Sequence, residues 1–288
     1  VTSVNIDKSS SLDEMQMRQK AKLFRASRHF ASVLRDYTAA LVAFRRDPRV
    51  VNKLISQETR YRVANHFLSL HAGKVLAGVD GGVTYGEMLE LCSAFPEIGS
   101  RVLKTMLAMM VLTGYARSER SPADRRVKIY MPSSKLIDVA CSRLVPIVEA
   151  LHVLEPDLSR VAALRDDPAF QMRAMHRNGR PQLESELLRS QMPEFVGFAA
   201  GREGAAQVVY AVTLADMDAV PLPSRSALAR QLGLSKTQVW SVFAEGERLG
   251  YFSAGDGGAP VATDKLRDQY GEWTSLELAF CAGVLAQI

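Results

Sequence analysis

Two glycine-tyrosine pairs, Gly114-Tyr115 and Gly250-Tyr251, lie 136 residues apart, and each closes a stretch with the same apolar skeleton. When one pair is laid on the other, Leu103, Met106 and Leu107 fall on Val239, Val242 and Phe243. Ala108 then meets Ala244, and Thr105 meets Ser241. Apolar residues at helical intervals, with one polar face left over and the same order used twice, constrain the chain to build one kind of helical corner twice. With 288 residues, 47% of them hydrophobic, it is long enough for two cores.

The later copy, Ser224 to Tyr251, is the more legible. Leu228, Leu232, Val239, Val242, Phe243 and Leu249 recur at helical spacing, broken where Gly233 sits between apolar neighbours. Gly233 can take the left-handed conformation that turns the chain, Ala229 is small enough for two helices to cross closely, and Val239 plugs the corner. Ser224 and Ser235 precede the helices as caps, with Gln238 three residues after Ser235 as in a capping box. This spacing predicts a helix-turn-helix. Its second helix leaves Lys236, Thr237, Gln238 and Ser241 outside, side chains of the kind that reach phosphates and base edges in a major groove. In the earlier copy Thr84 opens a helix ending near Cys92, and Ser100 opens the second, with Ser100, Arg101, Lys104 and Thr105 in the corresponding places.

After Tyr115 the stretch ARSERSPADRRVKIYMP predicts a hairpin, from its Ser-Pro-Ala-Asp turn and the alternation of Val127, Ile129 and Met131. Arg117, Arg120, Arg125, Arg126 and Lys128 crowd it against only Glu119 and Asp124, a density suited to holding a phosphate backbone. The matching segment after Tyr251, Ser253 to Thr263, has no cation, so it is not expected to grip phosphate.

Helix, helix, second helix of a corner, Leu-Thr-Gly-Tyr, then Ala-Asp-Arg-Arg in a wing followed by a long helix: over roughly residues 55 to 145 this order resembles the MarR-type winged helix-turn-helix transcriptional regulators. Its most specific part is Asp124-Arg125-Arg126. The resemblance implies that Asp124 shapes the wing and that Arg125 or Arg126 contacts DNA. It also implies a homodimer joined by terminal helices, bound to pseudo-palindromic double-stranded DNA and released by a small-molecule effector or oxidant.

Elsewhere, Asp13 to Arg46 reads as one long amphipathic helix with Leu23, Ala26, Phe30, Leu34, Tyr37, Leu41 and Phe44 on its apolar side, ended by Pro48. That side is expected to pack on other helices or, with slight preference, on a second chain. Residues 1–12 are polar and read as a mobile tail. Ser134 to Leu154 is another amphipathic helix, residues 155–182 read as short helices and loops, Leu183 to Met192 as a short helix, and Asp264 as the cap of an apolar C-terminal helix. The expected fold is therefore mostly α with small β-wings, two winged helix-turn-helix domains joined by long helices. Residues 1–54 form a tail and candidate dimerisation arm, 55–133 the first winged domain, 134–205 a helical connector, and 206–288 the second winged domain with its C-terminal helix.

Lys plus Arg number 36 against 31 for Asp plus Glu, a mild bias toward polyanionic partners. Cys92, Cys141 and Cys281 lie too far apart for a zinc site or disulfide framework, and His29, His66, His71, His152 and His176 lack metal-ligand spacing. With no phosphate loop, dinucleotide fingerprint or nucleophile elbow, the chain is not expected to be an enzyme or to carry a cofactor or metal. No apolar run reaches membrane-span length, no membrane partner is expected, and the cytoplasm is the expected location. Because the chain opens on Val1 and not on Met, a trimmed or renumbered N-terminus is expected. The expected function is a sequence-specific DNA-binding transcriptional regulator, a repressor that occupies its operator. Two alternatives stand beside it: a DNA-binding protein like the plasmid replication initiators, and a winged-helix module that binds protein through the uncharged second wing and Trp240.

Overall fold

The computed structural model describes residues 14–46, 58–80, 82–93, 95, 98–158, 160–179, 187–255 and 259–288. The tail expected over 1–12, the stop expected at Pro48 and the start of the helix expected from Leu183 lie outside them; residues 187–191 are helical. The chain is mostly helical, with two small antiparallel sheets. Its elements are α1 (Glu14–Ala26), α2 (Phe30–Arg46), α3 (Glu58–Leu76), β1 (Val83–Thr84), α4 (Tyr85–Cys92), α5 (Ser100–Leu112), β2 (Ala116–Arg120), β3 (Lys128–Pro132) and α6 (Ser134–Leu154). The chain continues through α7 (Val161–Asp166), α8 (Pro168–Asn178), α9 (Pro193–Ala199), α10 (Ala205–Met217), α11 (Arg225–Leu232), α12 (Lys236–Arg248), β4 (Phe252–Ala254), β5 (Pro260–Ala262) and α13 (Asp264–Leu285). Among the described residues no helix is long and apolar enough to cross a membrane.

The run α3–β1–α4–α5–β2–β3 encloses a core of Val63, Phe67, Met88, Cys92, Leu103, Leu107, Met110 and Tyr115. Thr84 starts α4 with a full capping box: its hydroxyl accepts from the Glu87 N–H, and the Glu87 carboxylate accepts from the Thr84 N–H at 2.7 Å. Lys74 locks this corner to α3 by donating to Gly82 O (2.6 Å) and Glu87. These contacts hold the Glu87 carboxyl below its usual range against the opposing effect of burial. The hairpin β2–β3 pairs Arg117 with Met131 and Arg120 with Lys128, and β1 adds a two-residue third strand through Val83 and Tyr130.

The run α10–α11–α12–β4–β5 repeats the order of this construction without a counterpart of β1. α3 and α10 end in the same turn, with Gly78 and Ala219 at positive φ (67° and 51°) and the next N–H reaching back to Lys74 O and Ala215 O at 2.9 Å. Thr84 and Ser224 cap the next helices, and Gly114 and Gly250 (φ 73° and 77°) end the ones after. Ser133 and Thr263 then stand at the N-cap positions of α6 and α13 and donate their hydroxyls to Gly114 O and Gly250 O at 2.8 and 2.7 Å. The expected capping role of Asp264 falls instead to Thr263, whose hydroxyl accepts from the Leu266 N–H; Asp264 is the first helical residue and pairs with Arg267. In the second run Gly233 (φ 68°) makes the expected left-handed turn, and Leu228, Ala229, Val239, Val242 and Phe243 are buried.

Within the helix expected over Asp13 to Arg46, Glu14 to Arg46 form two helices, not one. The break at residues 27–29 is held by the Phe30 N–H donating to Ser27 O at 3.0 Å, and it lets the halves bury different faces. Met17, Ala21 and Phe24 of α1 pack toward α13, whereas Val33, Tyr37 and Leu41 of α2 join the core against α6 and α10. Leu23, expected inside, is 65% exposed, while its neighbour Phe24 is 5% exposed. The apolar face expected to prefer a second chain is thus covered by the chain's own helices. α6 supplies Leu136 to the first core and Leu144, Ile147, Val148 and Leu151 to the second, and the nearly buried pair Arg143–Glu277 (2.6 Å) ties it to α13. α8 lies so close on α3 that a side chain at Gly179 would meet the Ser69 Cβ at 2.1 Å.

Candidate nucleic-acid interface

In α5 the buried positions Leu103, Met106, Leu107 and Met110 leave the opposite side of the helix to Ser100, Arg101, Lys104, Thr105 and Ala108, all exposed. Arg101 and Lys104 project unhindered, apart from Lys104 resting 5.5 Å from the centre of the Tyr85 ring. Thr105 donates its hydroxyl back to Arg101 O (2.9 Å), and Ser100 O accepts from the Tyr85 hydroxyl. Tyr85 was not foreseen here; its position directly after the cap of α4 was the available signal.

The wing tip is built by Asp124. Its carboxylate accepts from the Arg126 N–H at 2.9 Å, and its carbonyl accepts from the Val127 N–H at 2.9 Å, closing a turn that Arg120 braces by donating to Arg126 O. Arg125 and Arg126 are displayed at that tip, both exposed. Behind it the pleat sorts the remaining cations. Arg120 and its cross-strand partner Lys128 share a face with Ser118, Tyr130, Ala116 and Pro132, whereas Arg117 shares the other with Glu119, Ile129 and Met131. Lys128 lies 5.2 Å from the Tyr130 ring centre, and Arg117 reaches Met131 Sδ at 3.6 Å. The five wing cations therefore share one edge but not one face.

Carboxylate-free cations are concentrated along this edge. Many cations of the helical framework are matched with carboxylates, among them Arg18 with Glu14, Lys20 with Glu155, Arg25 with Asp268, Arg35 with Asp218, Arg143 with Glu277, Arg165 with Glu149 and Arg267 with Asp216. Arg28 and Arg177 instead bond the neutral side chains of His29 and Gln287. Among the described residues, Arg101, Lys104, Arg117, Arg120, Arg125, Arg126 and Lys128 have no carboxylate at ion-pair distance. Uncompensated cations on a solvated surface attract a polyanion at little desolvation cost.

In the later copy Lys236, Thr237 and Ser241 are exposed on α12, with Trp240 (56% exposed) among them. Ser235 and Gln238 form the expected capping box, so the Gln238 side-chain carbonyl is committed to the Ser235 N–H (2.8 Å) and only its amide nitrogen remains to donate outward. Ser241 donates to Gln238 O at 3.0 Å. Two exposed cations of α11, Arg225 and Arg230, were not foreseen, because the spacing of the first helix in such a corner marks only its buried side.

Other chemistry is sparse. His66 is buried with Nδ1 3.2 Å from Gly179 O, and desolvation pushes its pKa down to about 4. Burial raises the Cys92 thiol to about 11, which leaves it an inert core residue. Among the described residues no group of three or more His, Cys, Asp or Glu is placed to hold a metal ion. A cavity of about 50 Å³, lined by Phe44, Tyr61, Asn65, Leu136, Arg143 and Met175, lies where the two cores meet. That volume holds a few waters and falls well short of the roughly 300 Å³ that a drug-sized ligand fills. Compared with known proteins, the chain matches no family model, no curated protein and no solved structure.

Proposed function

We propose that this chain is a sequence-specific DNA-binding transcriptional regulator, in which α3–β3 and α10–β5 are two winged helix-turn-helix units and repression follows from occupying an operator. The observation that carries the reading is the coincidence of two properties on one edge. α5 packs beside the β2–β3 hairpin, and the cations of both are left without carboxylates while most of the framework's are paired. In this reading Arg101, Lys104, Ser100 and Thr105 enter a major groove. Arg120, Arg125, Arg126 and Lys128 hold the phosphate backbone, with Arg117 on the opposite face of the wing reaching an adjacent strand. Lys236, Thr237, Gln238 through its amide nitrogen, and Ser241 face a second groove.

Selection of bound fragments from the source genome tests this. Enrichment of a shared sequence upstream of promoters, lost as salt rises, is the expected result. Enrichment of iterated direct repeats at an origin would instead favour initiation of replication. Absence of any salt-sensitive binding would remove DNA from the account and leave a protein-binding module.

A further inference from the structure

The segment after Tyr251 in the second unit, Ser253 to Thr263, carries no Lys or Arg, and the unit's cations divide in an informative way. Between residues 202 and 288 there are seven Lys and Arg residues. Four are paired with carboxylates: Arg202 and Arg248 with Glu245, Lys265 with Glu194, and Arg267 with Asp216 and Asp264. The other three, Arg225, Arg230 and Lys236, are exposed and have no carboxylate at ion-pair distance. All three belong to the helix pair: Arg225 and Arg230 on α11, Lys236 at the start of α12, one turn from the exposed Trp240. Arg225 also lies 6.0 Å from the Phe243 ring, which draws its side chain toward α12.

We propose that Arg225 and Arg230 of α11 complete a second duplex-DNA contact surface beside the groove-facing Lys236 of α12, the two arginines taking the phosphate-holding part that the first unit gives to its wing. One chain then grips two segments of the same duplex. This rests on the DNA-binding reading above and adds the phosphate contacts of the second unit and the stoichiometry. Three features favour DNA as the occupant. The unit repeats the helix order of the first unit, with capped first helices at Thr84 and Ser224 and left-handed glycines Gly114 and Gly250 after the second. Its three carboxylate-free cations all lie on the helix pair, and the exposed carboxylate Glu247 stands near the far end of α12 from Lys236, an arrangement that leaves the α11–α12 junction positive toward a polyanion. The two units also hang on shared helices, since α2 packs on both α6 and α10 and α13 packs on α1, α6 and α8. Their spacing is therefore set before binding, and the second contact is intramolecular.

The test uses the full chain and two mixed-sequence duplexes, of 12 and 30 base pairs, in fluorescence-anisotropy and mass-photometry titrations at low salt. The intact chain is expected to bind two 12-base-pair duplexes but one 30-base-pair duplex, the longer at least about tenfold more tightly. The triple variant Arg225→Gln/Arg230→Gln/Lys236→Gln is expected to bind one short duplex and to lose the advantage of the long one. Its salt slope on the 30-base-pair duplex should fall by about two to three units. Arg248→Gln, which removes a paired cation of the same unit, should leave both titrations unchanged, and circular dichroism of each variant checks that the fold survives. One short duplex per intact chain, with the triple variant behaving like the parent, would overturn the second surface while leaving the first unit's DNA role standing. No binding of either duplex by the intact chain would overturn both.

Discussion

Tyr115 and Tyr251 occupy one position in two copies of the same construction. Each is fully buried, and each donates its N–H at 2.8 Å to the carbonyl five residues back, Met110 or Gly246. Each accepts, on its own carbonyl, the N–H of the residue capping the next helix, Ser133 at 3.0 Å and Thr263 at 3.1 Å. Over the two rings lie Lys135 and Lys265, their Nζ atoms 4.1 and 4.6 Å from the ring centres. The hydroxyls differ. Tyr251 donates to Glu194 at 3.0 Å, whereas the Tyr115 hydroxyl is buried without a hydrogen-bond partner. Tyr251→Phe should therefore destabilise the fold by about 1 kcal/mol, while Tyr115→Phe should be neutral or slightly stabilising. Urea denaturation of the two variants checks this, and equal losses would contradict it.

The contact of α8 with α3 depends on a residue without a side chain. At Gly179 a Cβ would fall 2.1 Å from the Ser69 Cβ and 3.0 Å from Asn65 O, and the helices are tied there by Ser69 Oγ donating to His176 O at 2.8 Å. Backbone cannot yield as a flexible side chain does, so Gly179→Ala should cost about 1–3 kcal/mol by overpacking. A thermal melt indistinguishable from the parent's would show that the two helices move apart freely.

His66 should make stability depend on pH. Its folded-state pKa is lowered to about 4 from an ordinary value of 6.5, because burial disfavours the charged ring, with the Arg62 cation adding a smaller push the same way. Well above pH 6.5 the ring is neutral in both states and the contribution of the shift vanishes. Between pH 6.5 and about 4 the unfolded chain binds a proton that the folded one refuses, so stability falls as pH falls, by about 3 kcal/mol over the whole window. His66→Gln should flatten this part of the stability–pH curve. An unchanged difference across that window would place the effect on other groups.

The helix corners were legible in the sequence because they depend on local signals: capping residues, Gly233, and apolar spacing that one turn of helix reads directly. The register of the N-terminal helices was not. Leu23 and Phe24 are both apolar, and the choice between them is made by α13, far away in the chain, once the break at 27–29 lets α1 rotate. β1 escaped notice because so short a strand shows no alternation. The matching lysines over Tyr115 and Tyr251 were hidden by the wings. Thr84 and Ser224 are 140 residues apart, Gly114 and Gly250 are 136 apart, but Ser133 and Thr263 only 130, so one fixed offset aligns α5 with α12 and misaligns the caps of α6 and α13. At the candidate interface, residue types were readable, but whether each cation had a carboxylate partner was not. Pairs such as Arg25–Asp268 join residues far apart in the chain. The two faces of the wing likewise depend on a strand register that the sequence left open.

The most direct test of the central claim is the salt dependence of binding to a selected genomic duplex, measured for the intact chain and for Arg125→Ala/Arg126→Ala. If the first wing holds phosphates, the double variant binds more weakly and the slope of log K against log salt flattens by about two units. An unchanged affinity and an unchanged slope would contradict the account, because the exposed, carboxylate-free cations on which it rests would then touch no nucleic acid.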